Sequence, residues 1–160
     1  MASQIESLCF TDVPVAADVA RGVTRLFCRQ DLFAICEMPL PNGRRADLMA
    51  IDPKGGLTIV EIKVAKADLL GDGKWTDYLD YCDRFFWAVP PHLAHLLDEE
   101  RFLPENAGLI VADRYDAAVV RQAAERPLAT ARRKAELLRF ARRAARRLAA
   151  QIDPSLGEAT

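Results

Sequence analysis

The segment Leu57-Thr58-Ile59-Val60-Glu61-Ile62-Lys63-Val64 is apolar on both faces of an extended chain, yet it carries a carboxylate and an ammonium group. Side chains of a strand alternate, so Leu57, Ile59, Glu61 and Lys63 share one face and Thr58, Val60, Ile62 and Val64 the other. A strand apolar on both faces belongs in the centre of a sheet covered on both sides. Exposed Glu-x-Lys ion pairs are common in strands, but here the flanking residues argue for burial. Burying Glu61 and Lys63, roughly 7 Å apart on one face, without a use for their charge costs several kcal/mol.

The neighbouring segments supply a companion acid. Arg45–Ile51 reads as the preceding strand, with Asp47 near its start, and it stops at the turn Asp52-Pro53-Lys54-Gly55-Gly56. Leu32–Met38 reads as the strand before that, closed by Pro39, Pro41, Asn42 and Gly43. Elements so close in sequence form an antiparallel meander. Asp47 shares a face with Arg45, Met49 and Ile51; if the Pro53–Gly56 turn makes a hairpin, Asp47 is expected farther from that turn than Glu61. Its nearness to Glu61 then requires strand divergence or a bulge. An amphipathic helix is predicted over Ala16–Cys28, with Val19, Val23, Leu26 and Phe27 at helical spacing. Downstream, a helix is expected from Trp75 to Phe85, a short strand over Phe86–Val89 and a helix over His92–Phe102. A buried strand over Leu109–Ala112, an edge at Val119-Val120 and a long terminal helix over Thr130–Gln151 complete the chain. That order predicts an α/β protein with a mixed central sheet flanked by helices.

At 160 residues, 51% hydrophobic and 28% charged, the chain fits one globular domain. No apolar run approaches the roughly 18 residues of a membrane span, and Met1–Phe10 lacks the basic cluster of a secretion signal, so a cytoplasmic protein without a membrane partner is expected. Cys9, Cys28, Cys36 and Cys82 form no Cys-x-x-Cys pair and stand far from His92 and His95, which argues against zinc and for buried free thiols. The charge is uneven. Ala129–Ala150 holds eight arginines and lysines against Glu136 alone, a net +7 in a chain whose total is −1, leaving −8 elsewhere. A basic surface element on an acidic domain is the expectation.

Two carboxylates beside a lysine suit a divalent cation held against a phosphodiester. Mg²⁺ takes one or two carboxylates and keeps several waters. Asp47 and Glu61 are the candidate ligands, with the Ile62 backbone carbonyl as a third oxygen and Glu37 as a further carboxylate. Glu37 equally suits a surface salt bridge. A cation there lowers the pKa of a bound water and offsets phosphoryl charge. Lys63 can orient or deprotonate that water or stand as a fixed positive charge.

Asp47 followed by Glu61-Ile62-Lys63 resembles the signature of the PD-(D/E)XK nuclease superfamily, with Ala46 in place of the proline in its name. More narrowly, Asn42-Gly43-Arg44-Arg45-Ala46-Asp47, Val60-Glu61-Ile62-Lys63 and Lys74-Trp75-Thr76-Asp77-Tyr78-Leu79-Asp80-Tyr81-Cys82-Asp83 are similar to the MmcB-like DNA repair proteins. The resemblance implies a restriction-endonuclease-like mixed sheet. It assigns residues 1–128 to the nuclease-like domain, 129–151 to a basic C-terminal helix packed on it and 152–160 to a flexible tail. It implies a Mg²⁺- or Mn²⁺-dependent DNA endonuclease acting in repair, with Asp47, Glu61 and Lys63 catalytic. The alternative is a non-catalytic DNA-binding or adaptor module of a repair complex with the same fold; RNA as substrate is a third reading.

On a helix, Lys74, Tyr78, Tyr81 and Cys82 line one side. Lys74 and Tyr78 have the spacing of the glutamine-tyrosine pair of RecB-like nucleases, with lysine for glutamine. Lys74 can then meet a phosphate, and Tyr78 and Tyr81 can stack on bases or bind phosphate oxygens, while Trp75 equally suits the core. Asp72 and Asp83 read as caps, Lys66 and Asp68 as weaker candidates, and Arg44 and Arg45 as phosphate-steering residues or partners of local acids. On the terminal helix an apolar stripe of Leu137, Ala141, Ala144, Ala145 and Leu148 is expected to pack. Arg132, Arg139, Arg142, Arg143 and Arg146 are expected opposite, against a DNA backbone. The partners expected are DNA, damaged or branched, and other repair proteins, with the chain a monomer or homodimer.

Overall fold

A computed structural model describes residues 14–157, so Cys9 and the Met1–Phe10 segment lie outside the described residues. The elements are α1 (Ala16–Arg29), β1 (Phe33–Pro39), β2 (Arg45–Ile51), β3 (Leu57–Ile62), α2 (Lys66–Gly71), β4 (Arg84–Val89), β5 (Gly108–Ala112), β6 (Ala117–Arg121) and α3 (Thr130–Ile152). Four 3-10 segments, Trp75–Tyr81, Pro91–Asp98, Glu100–Phe102 and Pro154–Leu156, fill the connections. The six strands form one sheet in sequence order. β1, β2 and β3 make the expected antiparallel meander, β3, β4 and β5 run parallel, and β6 closes the far edge antiparallel.

Every residue of β3 is buried, as its two-faced apolar sequence requires. Ile59 and Leu57 face a core built with Phe85, Trp87, Leu109, Trp75 and Phe140. Val60 and Ile62 face the second core, beneath Val19, Val23, Leu26 and Phe27 of α1. A mixed α/β sheet with helices on both sides is therefore the architecture. Gly108, the first residue of β5, shows how tightly β5 is held beside β4, since a Cβ there would lie 2.3 Å from the Phe86 ring.

Several local expectations are revised. Trp75–Tyr81 is a 3-10 helix, not an α-helix reaching Phe85, because Arg84 already begins β4. Three residues per turn put Trp75, Tyr78 and Tyr81 on one buried side and leave Lys74 exposed at the N-cap, so Lys74 does not share their face. The segment expected as a helix over His92–Phe102 is two 3-10 pieces. β3 ends at Ile62, and α2, missed in the sequence, follows at once. The stretch 152–160 opens with the last residue of α3 and the 3-10 turn Pro154–Leu156. Of the cysteines described, Cys82 is buried, whereas Cys28 and Cys36 are exposed rather than buried.

The terminal helix also docks differently. Its buried residues are Glu136 and Phe140, with Leu137 half-buried, whereas Leu148 and Ala141 of the expected stripe are exposed. Two polar anchors explain the rotation. Arg133 makes a paired contact with the buried Asp83, at 2.5 and 2.7 Å, and Arg147 donates to the main-chain carbonyls of Cys36 and Glu37 on the edge strand β1. Hydrogen bonds to charged groups in fixed geometry outrank a few alanine methyls. Among the described residues no helix is long and apolar enough to cross a membrane.

Candidate metal and phosphodiester site

The β2–β3 ladder pairs Ile51 with Leu57 and Leu48 with Val60. One residue further, the same register sets Asp47 opposite Glu61. Asp47 is thus level with Glu61, not farther from the turn as expected, because the loop is the five residues Asp52–Gly56, with Asp52 accepting from the main-chain N–H groups of Lys54 and Gly56. Beyond Leu48 and Val60 the backbone ladder ends. The Asp47 carboxylate takes its place, accepting the Ile62 N–H at 2.7 Å through Oδ2.

The break has a local cause. Met49 and Ala46, three residues apart, lie in the same core, and so do Ile35 and Met38 on β1, whereas strict alternation would separate each pair. Between them stand Asp47 and, across the β1–β2 ladder, Glu37, whose φ of +52° lies in the left-handed region. The twist there turns Asp47 out of the core face into a groove against α1, where Arg21, Arg25, Cys36, Glu37 and Ile62 also line a cavity of about 520 Å³. This is the divergence that sequence alone left open.

Glu61 is only 6% exposed, and its Oε2 has no hydrogen-bond partner. Burial, then the neighbouring Asp47 carboxylate, push its pKa up to about 9, against a smaller opposing pull from Lys63. The Tyr78 hydroxyl donates to the Arg45 carbonyl at 3.1 Å and is itself raised by burial and by Glu61. Lys63 Nζ lies 3.0 Å from Asp72 Oδ2, both side chains being largely buried. Asp72 is the C-cap of α2, so it both caps, as expected, and holds the lysine; its Oδ1 accepts from Lys74 N–H at 3.2 Å. The sequence did not reveal that second role, because α2 has no strong periodic signal.

The structure therefore brings Asp47, Glu61, Lys63 and Tyr78 together and sets others apart. Glu37 points its carboxylate to Arg45 at 3.5 Å, an exposed salt bridge, and the residue also lines the Asp47 groove. Arg44 pairs with Asp77 at 3.0 Å, so both arginines of that turn meet local acids. Tyr78 stacks on Phe85, and Tyr81 lies under the Arg132 guanidinium at 4.7 Å. Both rings are buried, which withdraws their faces from base stacking. Trp75 packs against Phe85 and Trp87 as a core residue. Asp83 is a latch rather than a cap, accepting from Leu57 and Leu128 N–H and from Arg133. Arg139, Arg142, Arg143 and Arg146 line a separate cavity of about 700 Å³ between α3 and β1. Lys66 and Asp68 sit in the first turn of α2, exposed.

The acids fit a divalent cation. An unpartnered buried oxygen on Glu61 beside a second carboxylate is an arrangement that a cation satisfies and that two like charges alone do not. Among the described residues no group of three or more histidines, cysteines or acids that could hold a metal ion stands together, so Asp47 and Glu61 are a pair of candidate ligands and not part of a larger cluster. Mg²⁺ sites in general use one or two carboxylates, with waters and substrate in the remaining positions.

A family model described as DNA repair protein MmcB-like matches residues 11–155. Among solved structures, the chain is similar to the SPO1766 protein of unknown function from Silicibacter pomeroyi. The two share 42% identity over 92% of this chain and 97% of that one, with a TM-score of 0.80. No curated protein matches.

Proposed function

From the premise that the chain belongs to the MmcB-like DNA repair family, we propose that it is a nuclease of the PD-(D/E)XK type with a restriction-endonuclease-like sheet, hydrolysing phosphodiester bonds of DNA in repair. The observation that carries this reading is the convergence of Asp47 and Glu61 where β2 and β3 part, with one Glu61 oxygen left without a partner. Asp47 and Glu61 would hold Mg²⁺ or Mn²⁺, which supplies Lewis-acid polarisation of the phosphoryl oxygens and a more acidic bound water.

The chain's own groups do the rest. The Ile62 N–H fixes Oδ2 of Asp47, a residue that also neighbours Glu61 and lines the groove against α1. Lys63, held by Asp72, places a positive charge beside the two acids and the developing negative charge of a pentavalent phosphorus. Tyr78 roofs Glu61 with a hydroxyl anchored on the Arg45 carbonyl and limits water on that side. The family's repair role fits DNA as the substrate.

A specific observation favours the adaptor alternative: the Lys63 charge is already matched by Asp72, and Glu61 holds a proton near neutrality without a cation. The discriminating experiment incubates purified protein with labelled single-stranded, duplex, flapped and cross-linked DNA in Mg²⁺ or Mn²⁺. The nuclease reading predicts cleavage that Asp47→Asn, Glu61→Gln and Lys63→Ala each abolish while remaining folded. No cleavage of any substrate by wild type would leave the adaptor.

A further inference from the structure

The outer surface of α3 presents arginines and apolar residues but no exposed acid. Its one acid, Glu136, is fully buried, with Arg132 and Arg139 folded back toward it at 3.8 and 3.4 Å. Arg142 and Arg146 are exposed. Along their flank runs the 700 Å³ groove, floored by Met38, Pro39 and Leu138 and walled by Arg139, Arg142 and Arg146. A groove walled by guanidinium groups suits the phosphates of a nucleic-acid strand, and the apolar floor beside them offers contact to unpaired bases without an aromatic platform. A duplex, with its bases stacked inside, would leave the floor uncovered.

The second relation is positional. β1 is an edge strand, and its residues Met38 and Pro39 line the arginine groove on the α3 side. The preceding residues, Cys36 and Glu37, line the Asp47 groove on the α1 side. The two grooves thus adjoin along one strand edge, their lining residues Cys36–Glu37 and Met38–Pro39 being consecutive, and even the outer pair, Cys36 and Pro39, is three residues or roughly 10 Å apart, a span one or two nucleotides cover. At the crossing, Arg147 occupies the carbonyls of Cys36 and Glu37, which closes the edge to strand pairing and sets another guanidinium there.

We infer that the α3–β1 groove guides single-stranded DNA, which passes over the β1 edge at Glu37 and enters the Asp47 groove. This deepens the reading of the Asp47–Glu61 site by naming the strand state of its substrate. It makes α3 a guide rail, and accounts for a helix of 23 residues with only two of them buried.

Binding without metal separates this inference from hydrolysis. Full-length Glu61→Gln protein in EDTA is titrated against a fluorescein-labelled thymidine oligonucleotide and a duplex of equal length. The single strand is expected to bind at least tenfold tighter. Arg142→Ala/Arg146→Ala should weaken it about tenfold or more and lower the magnitude of the salt slope by roughly 1.4, with unchanged circular dichroism. Leu138→Asp should weaken the single strand more than the duplex. Alkylation of the exposed Cys36, followed by mass spectrometry, should be blocked by the oligonucleotide and restored in the double arginine variant. Duplex binding as tight as single-strand binding, competition by polyglutamate as strong as by oligonucleotide, or an unprotected Cys36 would each overturn the inference. Single-strand binding without any cleavage would remove the nuclease reading and leave the guide.

Discussion

Lys63 Nζ stands 3.0 Å from Asp72 Oδ2, so the lysine of the central strand is held by the cap of a short helix that the sequence barely announces. Removing the acid leaves a largely buried ammonium without its partner. Asp72→Ala is expected to cost roughly 1–3 kcal/mol, less than a fully enclosed pair because both groups keep some water. Thermal unfolding of Asp72→Ala and of Lys63→Met/Asp72→Leu checks this, with the double variant recovering most of the loss.

Glu61 gives a pH signature. Its folded pKa, raised to about 9 by burial and by Asp47, lies above the ordinary value of 4.5. Stability contributed by its protonated form is full below 4.5. It falls as the pH rises, because the unfolded chain ionises while the folded one keeps the proton, and it is lost once the pH passes about 9. The slope reaches at most about 1.4 kcal/mol per pH unit. Glu61→Gln should therefore gain stability relative to wild type steadily from pH 5 to 9 in denaturant titrations without metal. A constant difference would show that Glu61 ionises normally.

Cation binding should also release that proton. At pH 7 Mg²⁺ must displace the proton on Glu61, so binding should liberate about one proton per site and strengthen with pH. Calorimetry in buffers of different ionisation enthalpy measures the number directly. Glu61→Gln should reduce it to near zero.

Asp83 holds the opposite sign. Burial works against its charge, but Arg133 and the N–H groups of Leu57 and Leu128 outweigh burial and hold the carboxyl below the ordinary carboxylate range. Its contribution is present above the unfolded value and lost as the pH falls through the folded one. Asp83→Asn should cost about 2–4 kcal/mol at pH 7 and narrow the gap to wild type in strong acid. Acid titrations followed by circular dichroism test this.

Residues that bury themselves through local pattern announced their place, and those that depend on geometry did not. The all-apolar flanks of Glu61 put β3 at the centre, and the turn residues at 39–43 and 52–56 set the meander, because alternation and turn chemistry are local. Counting from a turn at 53–56 places Asp47 farther out than Glu61, whereas the loop is the five residues 52–56 and the unbroken register sets the two level; the facing of Asp47 turns beside the left-handed Glu37, which no local pattern signals. Tyr78 and Tyr81 carried the right spacing for one buried side, but three residues per turn, not 3.6, detached Lys74 from them. On α3 the apolar stripe was outweighed by Arg133 and Arg147, whose acceptors lie 50 and 110 or more residues away in sequence. No window along the chain contains such partners.

The most direct measurement is anomalous diffraction from a crystal soaked in Mn²⁺. A peak bridging the Asp47 carboxylate and Glu61 Oε2, absent from an Asp47→Asn crystal, is the predicted result. A fully occupied soak that places Mn²⁺ elsewhere, with Glu61 still protonated and unpartnered, would contradict the cation site and with it the hydrolytic reading.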